Sequence, residues 1–267
     1  MRPPWEREGG DTPIVATAIH AGHDLRDEVR ELIALDDAVR LREEDPYTDF
    51  WTRIVATRIV VNRSRFEVDL NRPRSGAVYR SPEDAWGLQL WREPPPDPVV
   101  DGSLGLYDAF YAELEMLLMA LERRFGGFVV YDLHSYNHRR GGPDALPADP
   151  AGNPEVNLGT GWLDRQRWAA LVDRFVADLR AAGIGDHQLD VRENVRFEGG
   201  HLSRWVSERF PATGCCLAID VKKFFMDEHT GEVDEDTWTG LRTALAVTVP
   251  GVLEEFSLVG GVGGGGP

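Results

Sequence analysis

The chain has 267 residues, of which 42% are hydrophobic, and a formal net charge of −16 at pH 7. That length and apolar content suit one α/β domain with a sizeable core. The acidic balance argues against nucleic-acid binding, which needs a basic face to displace counterions, but local arginines can still attract a carboxylate.

The two ends of the chain differ in composition from its centre. Residues 1–12 are polar and residues 259–267 are mostly glycine, so we expect both ends to be disordered and residues 13–258 to form a single domain. Residues 1–12 contain no apolar core of a signal peptide, and no apolar run reaches the length of a membrane span. The adjacent Cys215 and Cys216 offer no disulfide framework. We therefore expect a cytoplasmic protein without membrane contact.

Short runs rich in Val and Ile alternate with longer amphipathic stretches along the chain. In chain order, we predict a strand at 14–19, a helix at 25–38, strands at 58–61 and 66–70, a helix at 106–125, a strand at 128–133, helices at 162–182 and 202–210, and a strand at 215–221. This alternation is typical of a mixed, mostly parallel sheet with helices on both faces. Ligands of such folds bind beyond the carboxyl ends of the strands.

Three histidines come directly after predicted strands. His20 and His23 follow the first strand, and His134 follows the strand at 128–133. Neutral imidazole is a good zinc ligand, and three protein ligands leave one coordination position open for water. The alternative is that these are surface or capping histidines. Loss of hydration destabilises a histidine at the tip of a buried strand unless a metal ion or a hydrogen bond compensates for it. The sequence therefore predicts one Zn²⁺ ion held by these three residues.

A polar cluster surrounds the predicted strand at 66–70. Asn71 and Arg72 follow it, and Arg63 and Arg65 precede it. Arginine matches a carboxylate bidentately, and the Asn amide adds a further donor, so this cluster suits a substrate with a free carboxylate. The alternative is a structural salt bridge between Arg72 and Asp69 or an acidic loop residue.

Asp220 is a lone carboxylate inside an otherwise apolar predicted strand. Buried acids are rare unless they are paired or functional, so Asp220 is a candidate general base. The alternative is an ion pair with Lys222 or Lys223.

In the acidic segment 42–49, Thr48 or Asp49 is a candidate helix cap, and one of the acids is a candidate metal ligand or a partner that orients a ligand.

Several segments together resemble the N-formylglutamate amidohydrolase family, which is related to the zinc carboxypeptidases and aspartoacylases. The matching motifs are His20-Ala21-Gly22, Asp69-Leu70-Asn71-Arg72, Tyr131-Asp132-Leu133-His134-Ser135, Asn157-Leu158-Gly159-Thr160 and Phe225-Met226-Asp227-Glu228. The resemblance implies a phosphorylase/hydrolase-like fold of the zinc carboxypeptidase type, and a zinc ion held by two histidines and a carboxylate.

The resemblance assigns His20 and His134 to ligand positions. His23 stands where the wider group has a Glu ligand, so Asp45 and Asp49 are alternatives for the third ligand. Asp220 stands where relatives generally have Glu, one methylene longer. These differences imply a divergent branch whose substrate need not be N-formylglutamate.

The predicted function is zinc-dependent hydrolysis of an N-acyl amino acid of the formyl type, or of a related amide with a free carboxylate. Zinc would activate a water molecule, Asp220 would accept its proton, and Arg65 or Arg63 would stabilise the oxyanion. The predicted substrate-binding residues are Asn71, Arg72, Arg63, Asn157 and Arg139. The alternatives are a carboxypeptidase-like peptide-processing enzyme and a non-catalytic binding protein that keeps the fold.

Overall fold

The computed structural model describes residues 2–261, and within them a single seven-stranded sheet. Its strands are β1 (Trp5–Glu8), β2 (Ile14–Ala18), β3 (Thr57–Val61), β4 (Phe128–Tyr136), β5 (Val156–Gly159), β6 (Val191–Glu193) and β7 (Gly214–Lys222). Their order is β1-β3-β2-β4-β7-β5-β6. The central strands β3, β2, β4 and β7 are parallel, β1 is antiparallel to β3, and β5 is antiparallel to β7. The predicted mixed, mostly parallel sheet is confirmed.

Helices cover both faces of this sheet, as predicted. They are α1 (Asp27–Leu32), α2 (Asp37–Glu43), α3 (Thr48–Trp51), α4 (Asp97–Phe125), α5 (Ala169–Ala182), α6 (His201–Arg209) and α7 (Glu235–Gly261). Helices α5 and α7 pack on one face, and α4 and α6 pack on the other. Successive strand residues alternate between the two cores, so the free thiols of Cys215 and Cys216 lie on opposite faces.

The predicted strand at 66–70 is wrong. Residues 65–67 form a turn, which is closed by hydrogen bonds from the amides of Glu67 and Val68 to the carbonyl of Ser64. The alternation of apolar and acidic residues misled the prediction because the acids do not face solvent. Glu67 and Asp69 are fully buried and bind Arg26 and Arg65. The alternating pattern therefore reflects acids in buried ion pairs and not the exposed face of a strand.

Helix boundaries differ from the predicted ones for local reasons. The stretch 25–38 divides into α1 and α2 because the Asp36 carboxylate accepts a hydrogen bond from the amide of Val39 and begins a new helix. Helix α4 begins nine residues before the predicted start at 106, and α5 begins seven residues after the predicted start at 162. Helix α7 was not predicted; it is rich in Thr and Val and contains Pro250.

The two ends of the chain also depart from expectation. Instead of being disordered, Trp5–Glu8 form the edge strand β1, and Trp5 packs edge-on against Phe110 of α4. Part of the predicted disordered tail, 259–261, belongs to α7, and residues 262–267 lie outside the described part of the chain.

Within residues 2–261, none of the helices combines the length and apolar character needed to cross a bilayer. The domain boundaries and the cytoplasmic location stay predictions.

Gly22 permits the close approach of two chain segments beside the carboxyl end of β2. A Cβ atom at this position would overlap the backbone of Asn62 and Arg63. We expect Gly22→Ala to lower the free energy of unfolding by about 1–3 kcal/mol, because overpacking forces the backbone to move. Gly76→Ala is the matched control, since a Cβ there meets nothing within 4 Å. Denaturant unfolding measures both, and equal stabilities would contradict this role of Gly22.

Candidate metal centre and active site

Three ligand-type side chains converge at the carboxyl edge of the parallel strands. Ligand atoms of His20, Asp45 and His134 all lie within 4.8 Å of one another. His134 Nδ1 is 2.9 Å from Asp45 Oδ2, and His20 Nδ1 is 3.5 Å from the same oxygen. All three residues are buried. Two imidazole nitrogens and a carboxylate oxygen form a donor set that zinc accepts.

The opposite nitrogen of each imidazole is held by a buried carboxylate. His20 Nε2 is 2.8 Å from Asp69 Oδ1, and His134 Nε2 is 3.0 Å from Asp132 Oδ2. A carboxylate accepts hydrogen bonds, so each Nε2 carries a proton, and a metal ion bound at Nδ1 would replace the proton through which Nδ1 contacts Asp45. Carboxylates behind ligand histidines orient the rings and raise their basicity in metal sites. The site therefore fits a bound metal ion in its outer contacts as well as in its donors.

Asp69 and Asp132 are themselves fixed by neighbours. Asp69 accepts hydrogen bonds from Arg65, from the Tyr79 hydroxyl and from the backbone amide of Asn71. Asp132 accepts one from the Thr17 hydroxyl. Burial alone would raise the pKa of Asp69, but the charges of Arg65 and His20 outweigh it and hold the pKa well below its usual range. The carboxylate behind His20 therefore stays ionised.

His23 lies apart from this cluster. Its Nδ1 is 2.5 Å from Glu44 Oε2, and its Nε2 is 2.9 Å from the guanidinium of Arg40. The three-residue spacing between His20 and His23 predicted His23 as the third ligand, but the turn after β2 directs its side chain towards α2. Asp45, one of the two carboxylates considered, lies with His20 and His134 instead. Asp49, the other, lies in α3 outside the group.

A buried lysine fixes the segment that carries Asp45. Lys223 Nζ donates to the carbonyl oxygens of Arg42 and Glu44, at 2.6 and 2.7 Å. Burial lowers the pKa of Lys223 to about 8, and the negative charges of Asp45 and Glu43 oppose that shift. Burial would raise the pKa of Asp45, yet its hydrogen bonds to His134 and His20 lower it well below the usual range. Asp45 is thus an ionised carboxylate on a restrained segment.

Asp220, on β7, lies beside the cluster of His20, Asp45 and His134. It pairs in register with His134 of β4, and its Oδ2 accepts a hydrogen bond of 3.3 Å from the Asn157 amide. Burial raises the pKa of Asp220 to about 7, and His134 counteracts part of that shift. A carboxylate with a pKa near 7 is suited to accept and release a proton at neutral pH. The alternative considered for Asp220, an ion pair with Lys222 or Lys223, is not formed. Lys222 donates to Asn153 O, and Lys223 donates to the carbonyls of Arg42 and Glu44.

The ligand cluster and Asp220 face one cavity of about 220 Å³. Of the predicted catalytic and substrate-binding residues, Asp220, Arg65 and Asn71 line it. The Arg65 guanidinium is 2.9 Å from Asp69 Oδ2 and donates to the carbonyl of Glu43 at 3.3 Å. Asn71 Nδ2 is 3.5 Å from His134 Nε2, and Asn71 Oδ1 accepts from the Leu202 amide at the start of α6. Arg65 and Asn71 therefore lie within reach of a ligand beside the cluster.

Arg72 and Arg63 lie outside the cavity lining formed by the described residues. The Arg72 guanidinium donates to the carbonyl of Asp84 at 2.9 Å and lies 3.6 Å from Asp69, which is the structural alternative considered for it. Arg63 is buried, and its backbone bridges to Asp24. Neither arginine faces the cavity in this conformation.

Asn157 and Arg139 also differ from their predicted substrate-binding positions. Asn157 is fully buried, and its Oδ1 accepts hydrogen bonds from the amides of Val195 and Arg196, so it shapes the loop beside Asp220. The backbone amide of Arg139 donates to Glu228, whereas its neighbour Arg140 lines the cavity. Arg140 Nη1 lies 3.9 Å from Glu43 Oε2, which also faces the cavity.

Several cavity residues were not among the predicted site residues. They are Glu43, Trp86, Ser135, Asn137, Arg140 and Lys223. Ser135 Oγ and Asn137 Oδ1 are buried and have no hydrogen-bond partner among residues 2–261. Buried polar atoms usually have partners, so these two are available to a bound molecule. Ser135 and Asn137 lie one and three residues after His134, so their proximity to it was the signal that could have identified them.

The carboxylates behind the histidines lead to a prediction on metal affinity. We expect Asp132→Asn to weaken zinc binding about 10–100-fold, because a neutral amide orients His134 less firmly and lowers its basicity. Chelator competition measures the dissociation constant. Asp108→Asn, at an exposed aspartate on α4, is the matched control and should bind zinc like the wild type. Equal affinities for all three proteins would contradict the role of Asp132.

Fold and site together define an α/β protein with a candidate metal centre at the carboxyl edge of its parallel strands. A model of the N-formylglutamate amidohydrolase family matches residues 12–224. The N-formylglutamate amidohydrolase from Ralstonia eutropha JMP134 is similar, with a TM-score of 0.72 and 18% identity over 96% of this chain and 98% of that chain. A gene product from Agrobacterium tumefaciens reaches 0.60 at 16% identity, over 90% and 92%. No curated protein matches the sequence.

The family match spans most of the chain, which therefore belongs to the N-formylglutamate amidohydrolase family. This confirms the family resemblance of the sequence motifs and makes the chain a hydrolase. The structural similarities are at low sequence identity and show the shared α/β fold.

Proposed function

We propose that the protein is a zinc-dependent amidohydrolase that cleaves an N-acyl amino acid bearing a free carboxylate. The observation that carries this proposal is the convergence of His20, Asp45 and His134, with both outer imidazole nitrogens bound by buried carboxylates. Bound zinc would polarise the amide carbonyl and activate a water molecule. Family membership supports the amide as the bond that is cleaved.

Asp220 is the proposed general base. It lines the same cavity as the ligand cluster, and its pKa of about 7 lets it take a proton from the attacking water and return it to the leaving nitrogen. Arg65 is the proposed donor to the oxyanion, because its positive charge is fixed beside the ligand cluster by Asp69. These roles divide proton transfer and charge stabilisation between β7 and the turn after β3.

Asn71 and Arg140 are the proposed anchors for the substrate carboxylate. Both line the cavity, whereas Arg72, which the sequence suggested for this role, binds Asp84 and Asp69 instead. Arg140 is half-exposed at the cavity rim, where it can meet an incoming anion. A cavity of about 220 Å³ suits a small molecule of this kind.

Turnover of a panel of N-formyl and N-acetyl amino acids by zinc-loaded and by chelator-treated protein tests the proposal. The expected result is release of formate or acetate that requires zinc. Release of free C-terminal residues from peptides instead would favour the carboxypeptidase-like alternative. Stoichiometric zinc without turnover of any member would favour the non-catalytic binding protein, and failure to bind zinc would overturn the proposal.

A further inference from the structure

An exposed tryptophan in a strained backbone conformation lines the active-site cavity. Trp86 is 47% exposed and follows a short 3₁₀ helix, Pro82–Ala85. Its φ of 54° and ψ of 30° lie in the left-handed region. Glycine or asparagine usually ends a helix in this way, because a bulky side chain is strained there. The backbone alone therefore does not explain a tryptophan at this position.

The Trp86 ring is held in place from within the site. The Arg65 guanidinium lies 4.7 Å from the centre of the ring, and Phe66 and Tyr79 contact it edge-on at centroid distances of 6.5 and 5.9 Å. Arg65 also binds Asp69, which holds His20. The indole is thus fixed relative to the ligand cluster, while nearly half of its surface stays open.

A second exposed aromatic residue reaches the same cavity from another part of the chain. Phe197 is 37% exposed and lies in the loop after β6. Asn157 donates to the Phe197 carbonyl at 2.9 Å, and Tyr136 contacts the ring edge-on at a centroid distance of 5.5 Å. Trp86 and Phe197 therefore give the cavity fixed apolar surface in addition to the polar cluster of His20, Asp45 and His134.

The charges of the cavity disfavour an acidic group beyond the anchoring carboxylate. Lys223 is committed to two backbone carbonyls, and Arg65 is paired with Asp69. Arg140 faces Glu43, whose largely buried carboxylate also lines the cavity. A second substrate carboxylate would therefore meet Glu43 without a further uncommitted cation among the described cavity residues.

We propose that the substrate carries a bulky apolar group, aromatic or long aliphatic, that packs against the open surface of Trp86. This inference rests on the proposed function and specifies its substrate class. The group belongs either to the side chain of the acylated amino acid or to the acyl part, since both offer the same apolar surface. Burying such a group against a fixed ring adds about 10- to 100-fold to the specificity.

The test compares kcat/KM of the zinc-loaded protein on four substrates. N-formyl-L-phenylalanine places a phenyl ring in the side chain, N-phenylacetyl-L-alanine places it in the acyl part, and N-formyl-L-alanine and N-formyl-L-glutamate carry none. We expect one phenyl substrate to exceed N-formyl-L-alanine at least about 10-fold. Trp86→Gly, which suits the left-handed backbone, should bring that ratio close to 1, and Trp86→Phe should keep most of it. Met116→Ala, at an exposed apolar residue of α4, is the control that keeps the ratio.

The inference is overturned if the alanine or glutamate substrate equals or exceeds both phenyl substrates, or if Trp86→Gly leaves the ratio unchanged. Calorimetric binding of L-phenylalanine and phenylacetate, relative to L-alanine and formate, gives a second measure that does not need turnover. Binding of neither aromatic compound more tightly than its small counterpart would also overturn it. Absence of turnover with tight aromatic binding would instead count against the proposed hydrolysis.

Discussion

Asp45→Asn is expected to weaken zinc binding by more than about 100-fold and to abolish hydrolysis. Loss of a carboxylate behind a ligand histidine costs about 10–100-fold in affinity, so loss of a ligand costs more. The asparagine has nearly the same shape as the aspartate and keeps an oxygen near His134 Nδ1, which is 2.9 Å from Asp45 Oδ2 in the native protein. The folded structure should therefore survive. Zinc stoichiometry and chelator competition measure the effect.

Two further variants distinguish Asp45 from the other candidate ligands. Asp49→Asn makes the same chemical change four residues away, and His23→Gln keeps a hydrogen-bonding group beside Glu44. Both should bind zinc with native affinity. Native affinity in Asp45→Asn together with loss in His23→Gln would return the third ligand to His23 and contradict the arrangement proposed above.

Asp220→Asn is expected to lower kcat about 10²–10⁴-fold, the contribution of a positioned general base. Zinc affinity should stay unchanged, because Asp220 is outside the ligand group. Asparagine can keep the contact with Asn157, which is 3.3 Å from the native carboxylate. Asp220→Glu, which restores a carboxylate one methylene longer, should recover a large part of the activity. Full activity in Asp220→Asn would exclude Asp220 as the base.

The pH dependence of kcat/KM gives a second signature of Asp220. The base must be ionised, so activity falls as the pH drops below its pKa, which burial raises to about 7. Bound zinc adds positive charge and lowers that pKa, so the acidic limb should lie at or below pH 7. Asp220→Asn should lack this limb in its residual activity. An unchanged limb in the variant would assign it to another group.

Much of the fold was predictable because the core strands have strong local signals. The runs that became β2, β4 and β7 are almost wholly buried, so they consist mostly of apolar residues, which identify them without tertiary information. The parallel arrangement of these strands then brings His20, His134 and Asp220 to one edge. Their proximity could be inferred from the sequence.

The remainder of the site depends on contacts between distant segments. Asp45 reaches the two histidines because Lys223, 178 residues later in the sequence, binds the carbonyls of Arg42 and Glu44 just before it. No local spacing reports that contact, whereas the spacing of His20 and His23 suggested a pair that the turn after β2 separates. Arg139 and Arg140 differ by one position in a loop, where periodicity does not reveal which side chain faces the cavity.

The most direct measurement is an anomalous difference map at the zinc edge from crystals of the zinc-loaded protein. The expected result is one peak bonded to Nδ1 of His20, Nδ1 of His134 and a carboxylate oxygen of Asp45, with zinc–nitrogen distances of about 2.0–2.1 Å. A peak coordinated by His23, or the absence of any peak within bonding distance of His20 and His134, would contradict the proposed metal centre.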